Sequence, residues 1–330
     1  MIVVTGANGF IGSAMVWELN NVGQYDVVCV DSVNVLTRPG PLRHRRFKDF
    51  FLKDELWAFL ERPETKKNLT AIIHMGACST TTEMNVAFLT ENNFEYTKRI
   101  WKWCVEHKKT LIYASSAAVY GDGSKSFDDA LPSKIFAPLN PYGESKACFD
   151  RWVEDEILQG KPTPPKWFGL RFFNVFGPNE YHKEFMRSVV NKAFAQIQES
   201  GSLTLFRSHD PKYENGKQMR DFVYVKDITR WMLELLNAAV PSGIYNMGFG
   251  EARTWLDLSA AVFKAMGLTI NITWTDIPEV MRARYQYFTQ AKMDRLMATG
   301  LSKPQWPVEK AAEDYVINYL SKPLEMDTYL

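Results

Sequence analysis

Short apolar runs and amphipathic segments alternate regularly through the first half of the chain. The apolar runs are rich in β-branched residues and predict strands at residues 2–5, 26–30, 71–74, 110–114 and 167–172. The amphipathic segments between them predict helices at residues 10–20, 53–61, 87–106 and 142–158. Strands that alternate with helices in this way form βαβ units, in which the strands lie parallel. The predicted fold class is therefore α/β, with a doubly wound parallel sheet.

The pattern changes after residue 173. Polar loops now separate shorter elements, which are residues 221–225, 243–247 and 255–266. Such a region is too irregular for a second doubly wound sheet and is typical of a smaller mixed α/β domain that closes over a ligand. We therefore predict one domain over residues 1–173 and a mainly substrate-binding domain over residues 174–330, with segments such as residues 221–240 as candidates to cross back.

The charge balance limits the partners of the protein. Lysine and arginine number 39 against 38 aspartates and glutamates, so the formal net charge is only +1. A general nucleic-acid binder gains affinity from a strongly positive surface that releases counterions, which this balance does not provide. Nor does any apolar run approach the roughly 20 residues that cross a bilayer, and the N-terminus lacks the pattern of a signal peptide. We expect a cytoplasmic protein without nucleic-acid or membrane partners.

The four cysteines are widely spaced and include no CxxC pair; they are Cys29, Cys78, Cys104 and Cys148. This spacing argues against a disulfide framework and a zinc site, and favours reduced thiols in a cytosol. No cluster of histidines, cysteines and acids suggests a metal site elsewhere. We predict no metal.

A glycine-rich turn follows the first predicted strand and opens the first predicted helix. Gly6, Gly9 and Gly12 have the spacing G-x-x-G-x-x-G, which permits a tight turn, close approach of the backbone to a pyrophosphate and close packing of the helix on the sheet. Asp31 ends the second predicted strand, where a carboxylate can accept hydrogen bonds from an adenosine ribose. Together these features predict a Rossmann-like dinucleotide-binding domain.

The choice between NAD and NADP depends on two residues. Asp31 alone favours NAD, because a carboxylate repels a 2′-phosphate. Arg38 lies seven positions further on, where an arginine can neutralise that phosphate and permit NADP. The same arginine has a simpler interpretation as part of a solvated basic loop with Arg43, Arg45 and Arg46.

A Tyr-x-x-x-Lys pair predicts acid/base chemistry. Tyr142 and Lys146 have the i, i+4 spacing that puts both side chains on one face of a helix. An ammonium beside a phenol is expected to stabilise the phenolate and to lower the pKa of the phenol. Ser116 follows the predicted strand at residues 110–114, at the sheet edge where open α/β sheets bind ligands. Its hydroxyl can hydrogen-bond the substrate oxygen from which Tyr142 removes a proton.

These motifs make the chain similar to the extended short-chain dehydrogenases/reductases that act on nucleotide sugars. The resemblance covers nearly the whole chain, through residues 5–12, 113–121, 142–146, 171–178 and 220–227. Within that superfamily the chain most closely resembles the ADP-heptose 6-epimerase family, through residues 74–83, 181–183 and 284–290. It departs from the family at Met75, which is often acidic there, and in a longer loop before Arg220.

The resemblance implies roles for individual residues. It makes Ser116, Tyr142 and Lys146 the catalytic trio and Lys183 a second acid/base group. It implies an NADP cofactor, with NAD as the alternative, held by Gly6, Gly9, Phe10, Ile11, Gly12, Asp31, Ser32, Arg38, Asn92, Tyr142 and Lys146. The substrate-binding residues that it implies are Ser79, Ser116, Asn174, His182, Lys183, Arg220 and Tyr285. Taken singly, some have simpler interpretations, such as an ion pair between Arg220 and Asp221.

The activity that the resemblance implies is epimerisation of ADP-D-glycero-D-manno-heptose to ADP-L-glycero-D-manno-heptose at C6. A carbinol C–H is too weakly acidic for direct removal of the proton, whereas transient oxidation with tightly bound NADP gives a planar 6-keto intermediate. The alternatives are another nucleotide-sugar epimerase, such as a UDP-glucose 4-epimerase, and a non-catalytic NADP-binding protein. A 4,6-dehydratase is disfavoured because Ala117 and Ala118 replace its usual Asp-Glu pair. The resemblance also implies a cytoplasmic homo-oligomer, a pentamer, that supplies heptose for lipopolysaccharide core biosynthesis.

Overall fold

Seven parallel strands form the central sheet of a computed structural model, which describes residues 1–37, 40–282, 285–322 and 329–330. The strands over those residues are β1 Ile2–Thr5, β2 Val27–Asp31, β3 Asp49–Leu52, β4 Ala71–His74, β5 Thr110–Ser116, β6 Trp167–Phe172, β7 Asn174–Phe176, β8 Leu203–Phe206, β9 Met219–Tyr224, β10 Gly243–Met247, β11 Ala252–Thr254 and β12 Ile272–Thr275. The central sheet has the order β10-β6-β5-β4-β1-β2-β3. The order reverses between β1 and β4, and open α/β sheets bind ligands at the carboxyl ends of the strands beside such a point.

The α-helices surround this sheet and the smaller sheets of the second half. Their bounds are α1 Phe10–Asn21, α2 Leu56–Leu60, α3 Pro63–Asn68, α4 Val86–Leu89, α5 Tyr96–Glu106, α6 Pro141–Leu158, α7 Val189–Ser200, α8 Val225–Asn237, α9 Trp255–Ala265, α10 Glu279–Arg282, α11 Asp294–Ala298 and α12 Val308–Tyr315. Short 3₁₀-helices occur at Gly40–Leu42, Lys53–Glu55, Ala117–Tyr120, Ser133–Ile135 and Tyr181–Met186, and π-helical turns at Thr90–Glu95 and Val316–Leu320.

Both faces of the central sheet are buried. Along β1, Val4 packs into an apolar core with residues of α1 and α8, whereas Val3 packs into a second core with residues of α2 and α5. Successive side chains of a strand point to opposite faces, so a strand buried on both faces must be apolar throughout. The apolar runs that predicted the strands have this origin, and the predicted α/β class with a doubly wound parallel sheet is confirmed.

The second half of the chain contributes to two regions. It forms a separate core that includes residues of α7, β8, α9 and α12, together with a mixed sheet of order β11-β9-β7 and a parallel pair of β12 and β8. It also returns to the central sheet, because β10 pairs with β6 and α8 packs against α1. The boundary near residue 174 stays a prediction.

The single helix predicted at residues 87–106 is interrupted. Its middle turn, Thr90–Glu95, is π-helical and contains the buried Asn93. The Asn93 side-chain amide accepts from the backbone N–H of Cys78 at 2.9 Å and donates to the carbonyl of the same residue at 3.0 Å. This tertiary pairing holds the loop after β4, and helical periodicity alone does not report it. Within the described residues no helix has the length and apolarity that a membrane crossing requires.

Candidate active site

A cavity of about 1180 Å³ lies at the carboxyl edge of the central sheet. The predicted residues that line it are Gly6, Gly9, Phe10, Ile11, Gly12, Asp31, Ser32, Ser79, Asn92, Ser116, Tyr142, Lys146, Asn174, His182 and Lys183. Arg220 borders the cavity through Gln286, a lining residue whose carbonyl accepts a hydrogen bond from the Arg220 guanidinium. Arg38 lies outside the described residues. In the described part of the chain, no group of three histidines, cysteines or acids is arranged to hold a metal ion.

The glycine turn is packed so tightly that side chains cannot enter it. Gly6 has a φ of +62°, and a Cβ there would lie 2.6 Å from the backbone nitrogen of Gly76. A Cβ on Gly12 would lie 2.1 Å from the carbonyl oxygen of Gly6. These distances are far below van der Waals contact, so the three segments meet backbone to backbone. The turn therefore has the close-approach geometry that a pyrophosphate requires at the start of α1.

Asp31 ends β2 beside this turn. One oxygen of its carboxylate accepts from the backbone N–H of Asn8 at 2.9 Å, and the other accepts from that of Val33 at 3.0 Å. The two hydrogen bonds fix the orientation of the carboxylate, and each oxygen keeps a further lone pair for a ligand hydroxyl. The residues that are present thus fit a dinucleotide with its ribose near Asp31.

A buried histidine fixes the spacing between the first and fourth strands. His74 hydrogen-bonds Thr5 through Nδ1 at 2.6 Å and Thr97 through Nε2 at 3.0 Å. The Thr5 hydroxyl also accepts from the N–H of Gly76 at 3.2 Å, which holds that residue against the glycine turn. Burial, with a smaller contribution from nearby lysines, lowers the pKa of His74 to about 3, so the imidazole is neutral. His74 is thus a hydrogen-bonded packing residue between β1 and β4.

The neutral His74 should make the protein less stable in acid. The pKa of His74 is depressed in the folded state, so below about 6.5 only the unfolded chain takes up the proton, and stability is lost as the pH falls toward 3. Between pH 7 and pH 5 this group should remove about 2 kcal/mol from the free energy of unfolding. Urea denaturation at both pH values should show a correspondingly smaller loss in a His74→Gln variant. An equal loss in both proteins would contradict the prediction.

Helix α6 begins where it brings Tyr142 against the end of β5. The Asn140 side chain caps the helix by accepting from the N–H of Gly143 at 2.8 Å. Pro141 occupies the first turn, where a backbone N–H would have no partner within the helix. A Cβ on Gly143 would lie 2.8 Å from the carbonyl oxygen of Ala118, so glycine permits this approach. As a result the Ser116 hydroxyl hydrogen-bonds the Tyr142 phenol, an interaction that opposes the rise in pKa that burial causes.

The electrostatics of Tyr142 and Lys146 differ from the prediction. Burial raises the pKa of Tyr142 and outweighs the hydrogen bond from Ser116. The Lys146 ammonium donates instead to the carbonyl oxygen of Ala114 at 2.8 Å. Burial lowers the pKa of Lys146 to about 8, although the nearby Asp150 carboxylate opposes that shift. The expectation that the Lys146 ammonium lowers the pKa of the Tyr142 phenol is therefore wrong for this structure, because desolvation dominates.

A buried ion pair beneath these residues anchors α6 to the sheet. Asp150 accepts from the Arg171 guanidinium at 3.0 Å and from the Ser115 hydroxyl at 2.8 Å, and both charged side chains are fully buried. Arg171 donates further to Tyr120 at 3.1 Å and to Ser133 at 2.6 Å. A buried pair with this many partners is costly to break, because either charge would be left uncompensated. Sequence reasoning identified the segment around Arg171 but missed this role.

The second predicted acid/base group lies in the 3₁₀-helix Tyr181–Met186. The Lys183 ammonium lies 5.4 Å from the centre of the Phe10 ring, at the start of α1. Burial lowers the pKa of Lys183, and the nearby Glu180 carboxylate opposes the shift. The Lys183 side chain is half-buried in the cavity wall.

Arg220 and Asp221 face in different directions. The Arg220 guanidinium lies 5.7 Å from the Trp255 ring and 5.5 Å from the Tyr285 ring, and burial lowers its pKa. Asp221 instead accepts from three backbone N–H groups, at 2.6 Å from Phe249, 2.9 Å from Gly250 and 2.9 Å from Ala291. The described contacts of the two residues therefore do not match the simple ion pair.

Sequence reasoning missed a further cation in the cavity wall, Lys53. Lys53 donates a hydrogen bond to the side chain of Asn92, and its ammonium lies 4.8 Å from the centre of the Tyr96 ring. It belongs to the short run Lys53-Asp-Glu, which begins the helix predicted at residues 53–61 and carries no motif. Only the pairing of β2 with β3 brings this segment beside the glycine turn.

Residues 2–248 match the sequence profile of the NAD dependent epimerase/dehydratase family. The chain belongs to this family, which is the class that the fold and the site define. Relatives that align over nearly the full length of the chain carry a more specific name than the family does. The ADP-L-glycero-D-manno-heptose-6-epimerase of Fusobacterium nucleatum is 44% identical over 339 residues, with 100% of both chains covered. That of Nitratidesulfovibrio vulgaris strain DP4 is 45% identical and covers 97% of this chain and 98% of its own.

A solved structure gives the same result. The Helicobacter pylori ADP-L-glycero-D-manno-heptose-6-epimerase superposes with a TM-score of 0.76 at 26% identity, over 96% of this chain and 95% of its own. The resemblance to the heptose 6-epimerases that the sequence motifs indicated is confirmed by these relatives.

Proposed function

We propose that the protein epimerises ADP-D-glycero-D-manno-heptose to ADP-L-glycero-D-manno-heptose at C6, with tightly bound NADP. The observation that carries the proposal is a single shared cavity. It contains the glycine turn with Asp31, which we call the dinucleotide cradle, together with the Ser116–Tyr142 pair and the Lys183 ammonium. The full-length relatives named as heptose 6-epimerases support the choice of substrate.

The cradle fits the cofactor that this reaction requires. The glycine turn, Asp31 and Lys146 would hold the dinucleotide. The chemistry that the nicotinamide supplies when bound is reversible hydride uptake, so oxidation at C6 and the later reduction balance within one turnover. The remaining steps are proton transfers, which need groups of the chain itself.

Two groups of the chain would exchange the hydroxyl proton. Tyr142 would take the proton of the C6 hydroxyl as the ketone forms, and Ser116 would hydrogen-bond the same oxygen. Rotation about the C5–C6 bond turns the other face of the ketone and moves its oxygen elsewhere in the cavity. Lys183 would then donate a proton to the oxygen in its new position, and exchange with solvent would return Tyr142 to the phenolate and Lys183 to the ammonium. C6 lies outside the sugar ring, so the nucleotide part of the substrate can stay bound during the rotation.

Substrate turnover tests this function directly. The protein should convert ADP-D-glycero-D-manno-heptose to its C6 epimer, and deuterium placed at C6 should remain in the product. Loss of the label to solvent would contradict direct hydride return. Turnover of UDP-glucose without turnover of the ADP-heptose would instead identify a 4-epimerase.

NADP is the proposed cofactor because of two cations, one in the cavity wall and one in the sequence after Asp31. Lys53 lines the cavity, and Arg38 follows Asp31 in the sequence. An Arg38→Ala substitution should weaken the binding of NADP by about tenfold to a hundredfold, because a charge-assisted hydrogen bond contributes about 1.5–3 kcal/mol. Binding of NAD should change little. Titration of nucleotide-stripped protein with each cofactor measures both constants.

The matched control for that substitution is Arg43→Ala. Arg43 is an exposed arginine of the same loop and should leave both binding constants unchanged. Equal loss of NAD and NADP binding in the Arg38→Ala variant would contradict the proposed phosphate contact.

We further propose a cytoplasmic homo-oligomer, a pentamer, that provides heptose for lipopolysaccharide core biosynthesis. Support for self-association comes from exposed apolar side chains around α4, where Met84 is 61%, Val86 60% and Phe88 44% exposed. Exposed apolar patches commonly mark a protein interface. Light scattering of the purified protein measures the assembly state.

A further inference from the structure

A ring of hydrogen bonds closes the segment that carries His182 and Lys183. The Glu180 carboxylate accepts from the backbone N–H of Ser188 at 2.5 Å and from its hydroxyl at 2.6 Å. The Ser188 hydroxyl caps α7 by accepting from the N–H of Asn191 at 3.2 Å. The Asn191 amide donates to the Tyr315 phenol at 2.9 Å, and that phenol donates back to Glu180 at 3.1 Å. The ends of the segment are thereby held together across α7 and α12.

The carboxylate at the centre of this ring is buried. Glu180 is 1% exposed and Tyr315 is fully buried, yet Glu180 also lines the active-site cavity. A buried carboxylate is tolerated only when hydrogen bonds and an opposite charge compensate for lost hydration. Ser188 and Tyr315 provide the hydrogen bonds, and Lys183 is the neighbouring cation that acts on the carboxylate.

The start of the segment is also anchored to the cofactor-binding helix. The Asn179 amide donates to the Ser13 hydroxyl on α1 at 3.0 Å, and its side-chain oxygen accepts from the N–H of Leu330 at 2.9 Å. Asn179 has a φ of +79°, in the left-handed region that asparagine tolerates better than most residues. Phe10, whose ring faces the Lys183 ammonium, lies on the same helix. Asn179 thus connects the segment that carries Lys183 to α1, and Glu180 connects it to α12.

We propose that Glu180 is a positioning residue for Lys183, which it serves by closing the segment through Ser188 and by providing the ammonium with an anionic neighbour. This inference rests on the proposed function, because it concerns the group that would donate the second proton. Glu180 itself would not touch the substrate. Reactive groups must be held within a fraction of an ångström of their working geometry, and a displacement of about 1 Å can cost about a hundredfold in rate.

A double-mutant cycle tests the proposal. Glu180→Gln keeps the shape of the side chain but removes its charge and half of its accepting capacity. It should lower kcat for ADP-D-glycero-D-manno-heptose by about tenfold or more, with KM changed less than about threefold. In a Lys183→Met background the same substitution should lower the residual kcat no further, because the group through which it acts is gone.

Tyr315→Phe is the matched control. It removes one hydrogen bond to the same carboxylate but keeps the charge and both bonds from Ser188, so kcat should stay within about threefold of the wild type. If kcat falls in proportion to Tm in both variants, or if Glu180→Gln lowers kcat equally with and without Lys183, the proposal is overturned. If Glu180→Gln does not fold, Ser188→Ala replaces it in the same cycle, because it removes one bond to the carboxylate and leaves the other.

The same experiments separate this inference from the proposed function. A wild-type protein that does not epimerise the ADP-heptose overturns the function. An active wild type with a fully active Lys183→Met variant overturns the role of Lys183 and the positioning role with it. An active wild type, an impaired Lys183→Met variant and an unimpaired Glu180→Gln variant overturn the positioning role alone.

Discussion

Replacing Tyr142 by phenylalanine should lower kcat by about 10²–10⁴-fold, the usual contribution of a positioned general acid or base. The substitution removes only the phenol oxygen, which hydrogen-bonds Ser116 at the end of β5. The aromatic ring remains to pack at the start of α6, so KM and Tm should change little. Initial rates of ADP-heptose epimerisation with the Tyr142→Phe variant measure the effect.

The elevated pKa of the phenol makes this prediction more specific. Burial raises the pKa of Tyr142 in the described structure, and burial also lowers the pKa of Lys146 to about 8. A Lys146→Met variant should also lose activity, but for a different reason. It removes the basic side chain of the Tyr-x-x-x-Lys pair and leaves the phenol in place. Burial shifts the pKa of both side chains, so a ligand that changes their surroundings changes both pKa values.

The control for Tyr142→Phe is Tyr245→Phe. The Tyr245 hydroxyl donates to the carbonyl of Pro241 at 2.8 Å, and its residue does not line the cavity. It therefore reports the cost of losing one tyrosine hydroxyl elsewhere in the fold. If both variants retained a kcat within threefold of the wild type, Tyr142 would not be the principal acid/base group. A threefold change in rate corresponds to about 0.65 kcal/mol in barrier height.

The parts of the fold that could be predicted are those that one local segment encodes. The five inner strands of the central sheet were predictable because burial on both faces requires continuous apolar runs, and α6 because its amphipathic pattern indicates a helix. The glycine turn was predictable because backbone-to-backbone packing leaves glycine as the fitting residue. In each case the physical cause and the sequence signal lie within a few residues of each other.

The parts that could not be predicted depend on contacts between distant segments. Tyr315 and Glu180 are separated by 135 positions, and Arg171 reaches Asp150 from a neighbouring strand. No spacing in the sequence relates such pairs. The pKa of Tyr142 is a similar case, because the i, i+4 pattern reports which residues share a face but not how deeply that face is buried.

Replacing Gly12 by alanine should remove the cofactor from the purified protein. The new Cβ would lie 2.1 Å from the carbonyl oxygen of Gly6, so either α1 or the glycine turn must move. Both movements open the site where the backbone meets the pyrophosphate, and overpacking of this kind costs about 1–3 kcal/mol of stability. We expect little bound nicotinamide nucleotide per protomer and, as a result, epimerase activity at least about a hundredfold below the wild type.

Two further glycine-to-alanine substitutions calibrate that result. A Cβ on Gly9 would lie 3.0 Å from the same carbonyl, so Gly9→Ala should retain more nucleotide than Gly12→Ala. A Cβ on Gly267 meets nothing within 4 Å, although its φ of +68° still imposes a backbone cost of roughly 1–2 kcal/mol. Gly267→Ala should therefore lower Tm without loss of nucleotide. Extraction and quantification of the bound nucleotide from all three variants decides the matter, because full occupancy in Gly12→Ala would mean that close packing of the turn is not what holds the cofactor.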